Sequence, residues 1–96
     1  MAMDIIVAVQ LDNQGRPTTF EISSVAGHDL SPTGSRYESA AWVAKEVKLG
    51  AKIDTMIGNV LVGYLTVITG ASGLPVFGID DRMGIAHRIE DLRRLS

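Results

Sequence analysis

Two stretches of alternating apolar residues near the start of the chain constrain the fold most strongly. Positions 5–11 and 19–23 each place a large apolar side chain at every second residue. A period of two is typical of strands that bury one face. The segment 12–17 between them contains Gly15, which tolerates a positive φ, and Pro17, which suits the first position of a strand. The sequence therefore predicts a β-hairpin.

A long loop and then a helix are predicted after the hairpin. Residues 24–34 are rich in glycine, proline and small polar side chains and follow no period, as expected of a loop. Ser35 and Glu38 have the spacing of a capping box, which marks a helix start. Gly50 supplies a left-handed stop. The predicted helix covers about 36–48.

The second half of the chain has a similar predicted order of elements. Residues 52–57 alternate as a strand would, although they also fit one face of a helix, and the Gly58-Asn59 turn signal favours the strand. Residues 60–68 are apolar on both faces and predict a central strand, and 74–79 predict its partner. A final helix capped by Asp80 or Asp81 is predicted to bury four residues: Ile85, Ile89, Leu92 and Leu95.

These elements predict a single α+β domain over residues 1–96. We expect an antiparallel sheet of four to five strands with two helices packed on one face, in approximate ββα-β-ββα order. A chain of 96 residues closes one core. The similar order of the two halves fits a duplicated unit, and it also fits the common sequence of a hairpin followed by a helix.

The apolar content of the chain predicts self-association. Apolar residues make up 46% of the sequence and the mean hydropathy is +0.19, which is high for a domain with so much surface. A homodimer would bury the excess, whereas a monomer with an ordinary share of apolar surface is the alternative. The sequence therefore favours a small, non-enzymatic binding module that forms a homodimer.

Charge and composition argue against several other partners. Nine basic against eleven acidic residues give a net charge of −2, which makes nucleic acid an unfavourable partner. The apolar run 60–68 is too short to cross a bilayer, and no basic signal-peptide region starts the chain. The absence of cysteine suits a reducing compartment, so we expect a cytoplasmic protein without membrane contact.

Trp42 and Leu49 are the predicted interface residues. On the expected helix they project away from the stripe of Tyr37, Val43 and Val47, into a face that is otherwise charged. An exposed aromatic ringed by charge is typical of a contact anchor, because tryptophan buries a large area with few rotors. The alternative is that the loop 24–34 covers the indole within the same chain.

A second hypothesis is a small-molecule-binding protein or small enzyme, with a pocket between sheet and helices near residues 24–35. His28 and Asp29 lie in the predicted loop, and Asp80 lies at a strand end, where binding groups concentrate. His87 and Asp91 would share one face of the last helix, which also fits an ordinary solvated surface.

No motif identifies a catalytic centre, a metal site or a cofactor. Serine, histidine and aspartate occur, but no Gly-x-Ser-x-Gly turn holds a nucleophile. The glycine-rich segment 69–73 has the look of a nucleotide-binding turn, yet that chemistry requires a helix to follow at once. Since residues 74–77 predict a strand, we interpret the segment as a hairpin turn.

Overall fold

The chain forms a mixed sheet of seven strands. The computed structural model describes residues 2–26, 29–58, 60–82, 84 and 87–95. Within these ranges, it describes only the backbone of residues 2, 25, 26 and 29–33. In chain order the elements are β1 (Ala2–Leu11), β2 (Pro17–Ala26), β3 (Asp29–Ser39), α1 (Ala40–Lys48), β4 (Asp54–Ile57), β5 (Val60–Thr69), β6 (Pro75–Asp81), a 3₁₀ turn (Ile89–Asp91) and β7 (Arg93–Arg94).

β1 lies in the middle of the sheet and organises it. The strand order is β3-β2-β1-β4-β5-β6, and β7 pairs with β1 beyond the end of β4. β4 and β7 run parallel to β1, and the other pairs are antiparallel. The predicted α+β fold, with a wholly antiparallel sheet of four to five strands and two helices, is therefore wrong: the described residues form seven strands and one α-helix.

The first hairpin is confirmed. The Asp12 amide donates to the Arg16 carbonyl at 2.8 Å, Gly15 adopts a φ of +79°, and Pro17 is the first residue of β2. The Asp12 carboxylate accepts from the amides of Arg16 and Gln14, and the first of these hydrogen bonds lowers the pKa of Asp12 from its usual value. Local turn chemistry alone specifies this element.

The predicted loop 24–34 is wrong, and so is the predicted helix start. The described part of the segment, which leaves out residues 27 and 28, forms the end of β2 and much of β3, and these strands pair antiparallel with two register shifts. The helix begins only at Ala40, where the Ser39 hydroxyl accepts from the Trp42 amide at 3.1 Å. Backbone pairing along β2 outweighs the loop-like composition, and an edge strand tolerates a proline. The predicted helix end is confirmed, with Gly50 at a φ of +101°.

The predicted last helix is also wrong. The described part of that segment contains one 3₁₀ turn, where the Arg88 amide donates to Asp91 Oδ2 at 2.9 Å, followed by β7. β4 pairs with β1 only near Ile5 and Ile6, so β7 can pair with β1 further along the same side. The backbone hydrogen bonds that β7 forms with β1 outweigh the weak helix propensity of the C-terminal segment.

The core lies between one face of the sheet, α1 and the 3₁₀ turn. Ten buried residues form it: Ile6, Val9, Phe20, Ile22, Ala40, Val43, Ile53, Leu65, Ile89 and Leu92. The strand predicted within 52–57 is confirmed as β4. The predicted two-sided cover of 60–68 is wrong, because Ile68 on the face of β5 opposite Leu65 is 65% exposed.

Candidate functional site

A cleft opens where the start of β1, the middle of α1 and the segment before β4 meet. Its volume is about 380 Å³, which is within the range of small-molecule sites in proteins. Asp4, Trp42, Glu46, Lys52 and Tyr64 are among its lining residues, and we call it the Trp42 cleft.

Trp42 itself is half-buried rather than displayed on the surface. Its ring packs against the core, and the Arg36 guanidinium of β3 lies 5.7 Å from the ring centroid. The start of the predicted helix is thus part of a strand, which supplies a cation beside the indole. Leu49, at the end of α1, is 73% exposed. The interface role assigned to Trp42 and Leu49 stays a prediction.

Arg36 is held in place by two carboxylates. Its Nη2 atom lies 3.2 Å from Asp4 Oδ2, and its Nε atom lies 3.5 Å from Glu38 Oε2. The Ser24 hydroxyl donates to the other Asp4 oxygen at 3.1 Å. The hydrogen bond to Asp4 raises the pKa of Arg36 above its usual value. The guanidinium beside Trp42 is therefore charged, and its charge is already paired with carboxylates of the same chain.

A second arginine, Arg82, is fixed in the same way beside Tyr64, another lining residue of the cleft. Asp54, which is 1% exposed, accepts from Arg82 Nη2 at 2.7 Å and from Nη1 at 3.2 Å. Arg82 lies 4.8 Å from the Tyr64 ring centroid, and its hydrogen bond to Asp54 raises its pKa. The Thr55 amide also donates to Asp54. The sequence gives no signal for this bidentate ion pair, because the partners are 28 positions apart.

Glu46 and Lys52 are the uncommitted charges of the cleft. Within the described part of the chain, neither side chain forms an ion pair or a hydrogen bond. The Lys52 ammonium lies 5.7 Å from the Tyr64 ring centroid. Glu46 projects from α1 and is half-buried. The cleft thus presents one anion and one cation to an occupant, on different elements.

The predicted ligand-binding residues do not assemble into one site. His28 lies outside the described residues. Asp29 begins β3 at one edge of the sheet, while Asp80 is exposed on β6 at the other edge. Four strands separate β3 from β6 in the sheet order. The Trp42 cleft, which contains neither Asp29 nor Asp80 among its lining residues, was missed by sequence reasoning.

His87 has a structural role instead of sharing a helix face with Asp91. Its Nδ1 atom contacts Asp81 Oδ2, and its backbone amide lies 3.4 Å from the same oxygen. Asp81 closes β6 and its side chain is 5% exposed. The contact fastens the segment after β6 to the strand, upstream of the buried residues Ile89 and Leu92.

β6 forms an open edge of the sheet. Among the described strands it pairs only with β5. The Arg82 amide donates to the Val62 carbonyl at 2.8 Å, so Val62 and Arg82 form a hydrogen-bonded pair. Because such pairs alternate along an antiparallel ladder, the backbone N–H and C=O groups of Phe77 and Ile79 face away from β5. We call this row of backbone groups the β6 edge.

The described residues contain no group of three or more histidine, aspartate or glutamate side chains that could hold a metal ion. Among the same residues, no helix has the length and apolar character needed to cross a membrane. In comparisons with known proteins, the chain matches no family model, no curated protein and no solved structure.

Proposed function

We propose that this protein is a non-enzymatic binding module that self-associates as a homodimer through the β6 edge. The observation that carries the proposal is that β6 has outward-facing backbone groups at Phe77 and Ile79, within a stretch from Val76 to Ile79 that has neither charge nor proline. Unpaired edges of this kind are templates for pairing with another chain, and soluble proteins usually block them. Pairing would satisfy these groups within a continuous sheet.

The two edges of the sheet differ in how well they are blocked. β3 carries Pro32, the charged residues Arg36 and Glu38, and two register shifts, all of which discourage further pairing. On β6 the proline is confined to the first position and the charged residues, Asp80 and Asp81, to the last two, so the four residues from Val76 to Ile79 carry no charge. The sequence pattern therefore favours β6 as the edge that pairs.

A twofold axis through Gly78 makes β6 complementary to itself. In that antiparallel register, Phe77 lies opposite Ile79 of the second copy, and each pair exchanges two backbone hydrogen bonds. Phe77 and Ile79 both pack against the core, so the pairing would extend the apolar layer from one copy to the other. A symmetric contact of this kind closes as a dimer and does not propagate.

Exposed apolar residues beside the edge support the same partner. Ile68 and Val76 are opposite each other on β5 and β6 and are 65% and 50% exposed, and Leu74, just before β6, is 45% exposed. A contiguous apolar patch next to an unpaired strand is unfavourable on a monomer. A second copy at the β6 edge would shield part of it.

Charge placement at the proposed interface gives a test that depends on the register. Val76 would lie directly opposite Asp80 of the second copy, in a pair whose side chains are close. Val76→Glu therefore places like charges opposite each other at two symmetric positions, at about 1 kcal/mol each. We expect the dimer dissociation constant to rise roughly 30-fold in sedimentation equilibrium.

Matched variants distinguish repulsion from loss of the valine side chain. Val76→Lys removes the same apolar group but faces Asp80 with the opposite charge, so it should retain the dimer. Val76→Glu combined with Asp80→Lys should restore association. The proposal fails if the wild type sediments as single chains, or if the glutamate and lysine variants associate equally.

A further inference from the structure

The Trp42 cleft has the charge layout of a site for a small zwitterion. Glu46, one helical turn after Trp42 on α1, adds an uncommitted carboxylate, and Lys52 adds an uncommitted ammonium beside Tyr64. The two arginines that adjoin the aromatic rings are already paired with Asp4 and Asp54. Among the described residues that line the cleft, only Glu46 and Lys52 are therefore left to bind charged groups of a ligand.

We propose that the Trp42 cleft binds an α-amino acid with an apolar side chain. The ammonium group of the ligand would pair with Glu46 and approach the indole of Trp42, since aromatic rings attract cations. Its carboxylate would pair with Lys52. The apolar side chain would lie against Ile53 and the two aromatic rings, which make the cleft predominantly apolar.

The positions of Glu46 and Lys52 favour one ligand that carries both charges. Glu46 belongs to α1, whereas Lys52 belongs to the segment before β4, and no oxygen of Glu46 lies within 4.0 Å of the Lys52 ammonium. A ligand with only one charge would pair with only one of these two side chains. A zwitterion satisfies both, and hydrogen bonds between charged groups are the stronger ones.

Binding can be measured with L-phenylalanine as the probe. Trp42 is the only tryptophan of the chain, so its fluorescence reports on the cleft directly, and titration calorimetry gives the affinity. We expect L-phenylalanine to bind, while N-acetyl-L-phenylalanine, which lacks the ammonium, and L-phenylalaninamide, which lacks the carboxylate, bind at least about tenfold more weakly.

Two surface substitutions test the assigned contacts without disturbing the core. Glu46→Gln and Lys52→Gln should each weaken the binding of L-phenylalanine about tenfold. Glu90→Gln and Lys45→Gln, which make the same chemical changes at exposed positions outside the cleft, should leave it unchanged.

The cleft proposal has clear contrary outcomes. It is overturned if L-phenylalanine produces neither heat nor a change in Trp42 fluorescence at millimolar concentrations. It is equally overturned if the acetylated and amidated compounds bind as well as the free amino acid, or if the cleft variants behave like their controls. None of these results depends on whether the protein dimerises.

Discussion

Gly63 lies where β5 and β6 approach too closely for a side chain. A Cβ atom at this position would be 1.9 Å from the Asp80 carbonyl oxygen and 2.7 Å from its carbonyl carbon. Both atoms belong to the backbone, so no rotamer change relieves the overlap. The Gly63 carbonyl also accepts a hydrogen bond from the buried Thr55 hydroxyl at 2.6 Å, which fixes β5 against β4. One residue thus sets the spacing of three strands.

We expect Gly63→Ala to lower the free energy of unfolding by about 3 kcal/mol, because β6 must move to accommodate the methyl group. The measurement is urea denaturation followed by circular dichroism. Gly34→Ala is the matched control, since a Cβ atom at Gly34 meets nothing within 4 Å. Equal stability of the two variants would mean that β5 and β6 are further apart than described.

At the scale of elements, sequence patterns succeeded where the interactions are local. The turn at Asp12 and the helix stop at Gly50 depend on neighbouring residues, and both were predicted. β3 was missed because it pairs with the preceding strand β2 despite a loop-like composition, and β7 was missed because it depends on backbone partners that the distant strand β1 offers. The Trp42 cleft was missed for the same reason, since it depends on contacts between β1, α1 and β5.

In the C-terminal segment, the burial of two residues was predicted correctly although the secondary structure was not. Ile89 and Leu92 were expected on the buried face of a helix, and they are 4% and 3% exposed although the described segment has no α-helix. Spacing of three residues fits a 3₁₀ turn as well as an α-helix. Apolar identity therefore predicted burial correctly at these two positions, while Leu95 is only partly buried and Ile85 lies outside the described residues. The spacing did not distinguish the type of turn.

If this segment completes the core, Leu92→Ala should destabilise the protein by about 3 kcal/mol, through lost burial and the cavity left behind. Arg94→Ala, two residues further along and exposed, should change stability by less than about 0.5 kcal/mol. Thermal and urea unfolding of both variants would measure the difference. A Leu92→Ala protein as stable as the Arg94→Ala protein would show that the segment does not contribute to the core.

At the scale of the whole molecule, the apolar content that predicted self-association has a specific location. Several large apolar side chains are exposed on the β5–β6 hairpin, and the predicted Trp42 anchor is half-buried in a cleft. The sequence therefore favoured a homodimer and predicted Trp42 and Leu49 as its interface, but it did not indicate the exposed apolar residues of the β5–β6 hairpin. The position of β6 at an edge follows from the strand order, which no local pattern reveals.

Disulfide trapping at Gly78 tests the proposed dimer most directly. With the twofold axis through Gly78, the two copies of this residue form a non-hydrogen-bonded pair with Cα atoms about 4.5 Å apart, within disulfide range. The chain has no cysteine of its own. Gly78→Cys should form a covalent dimer on mild oxidation at dilute protein concentration, whereas Thr66→Cys, exposed on the neighbouring strand, should not. Cross-linking of both variants at the same slow rate would contradict pairing at the β6 edge.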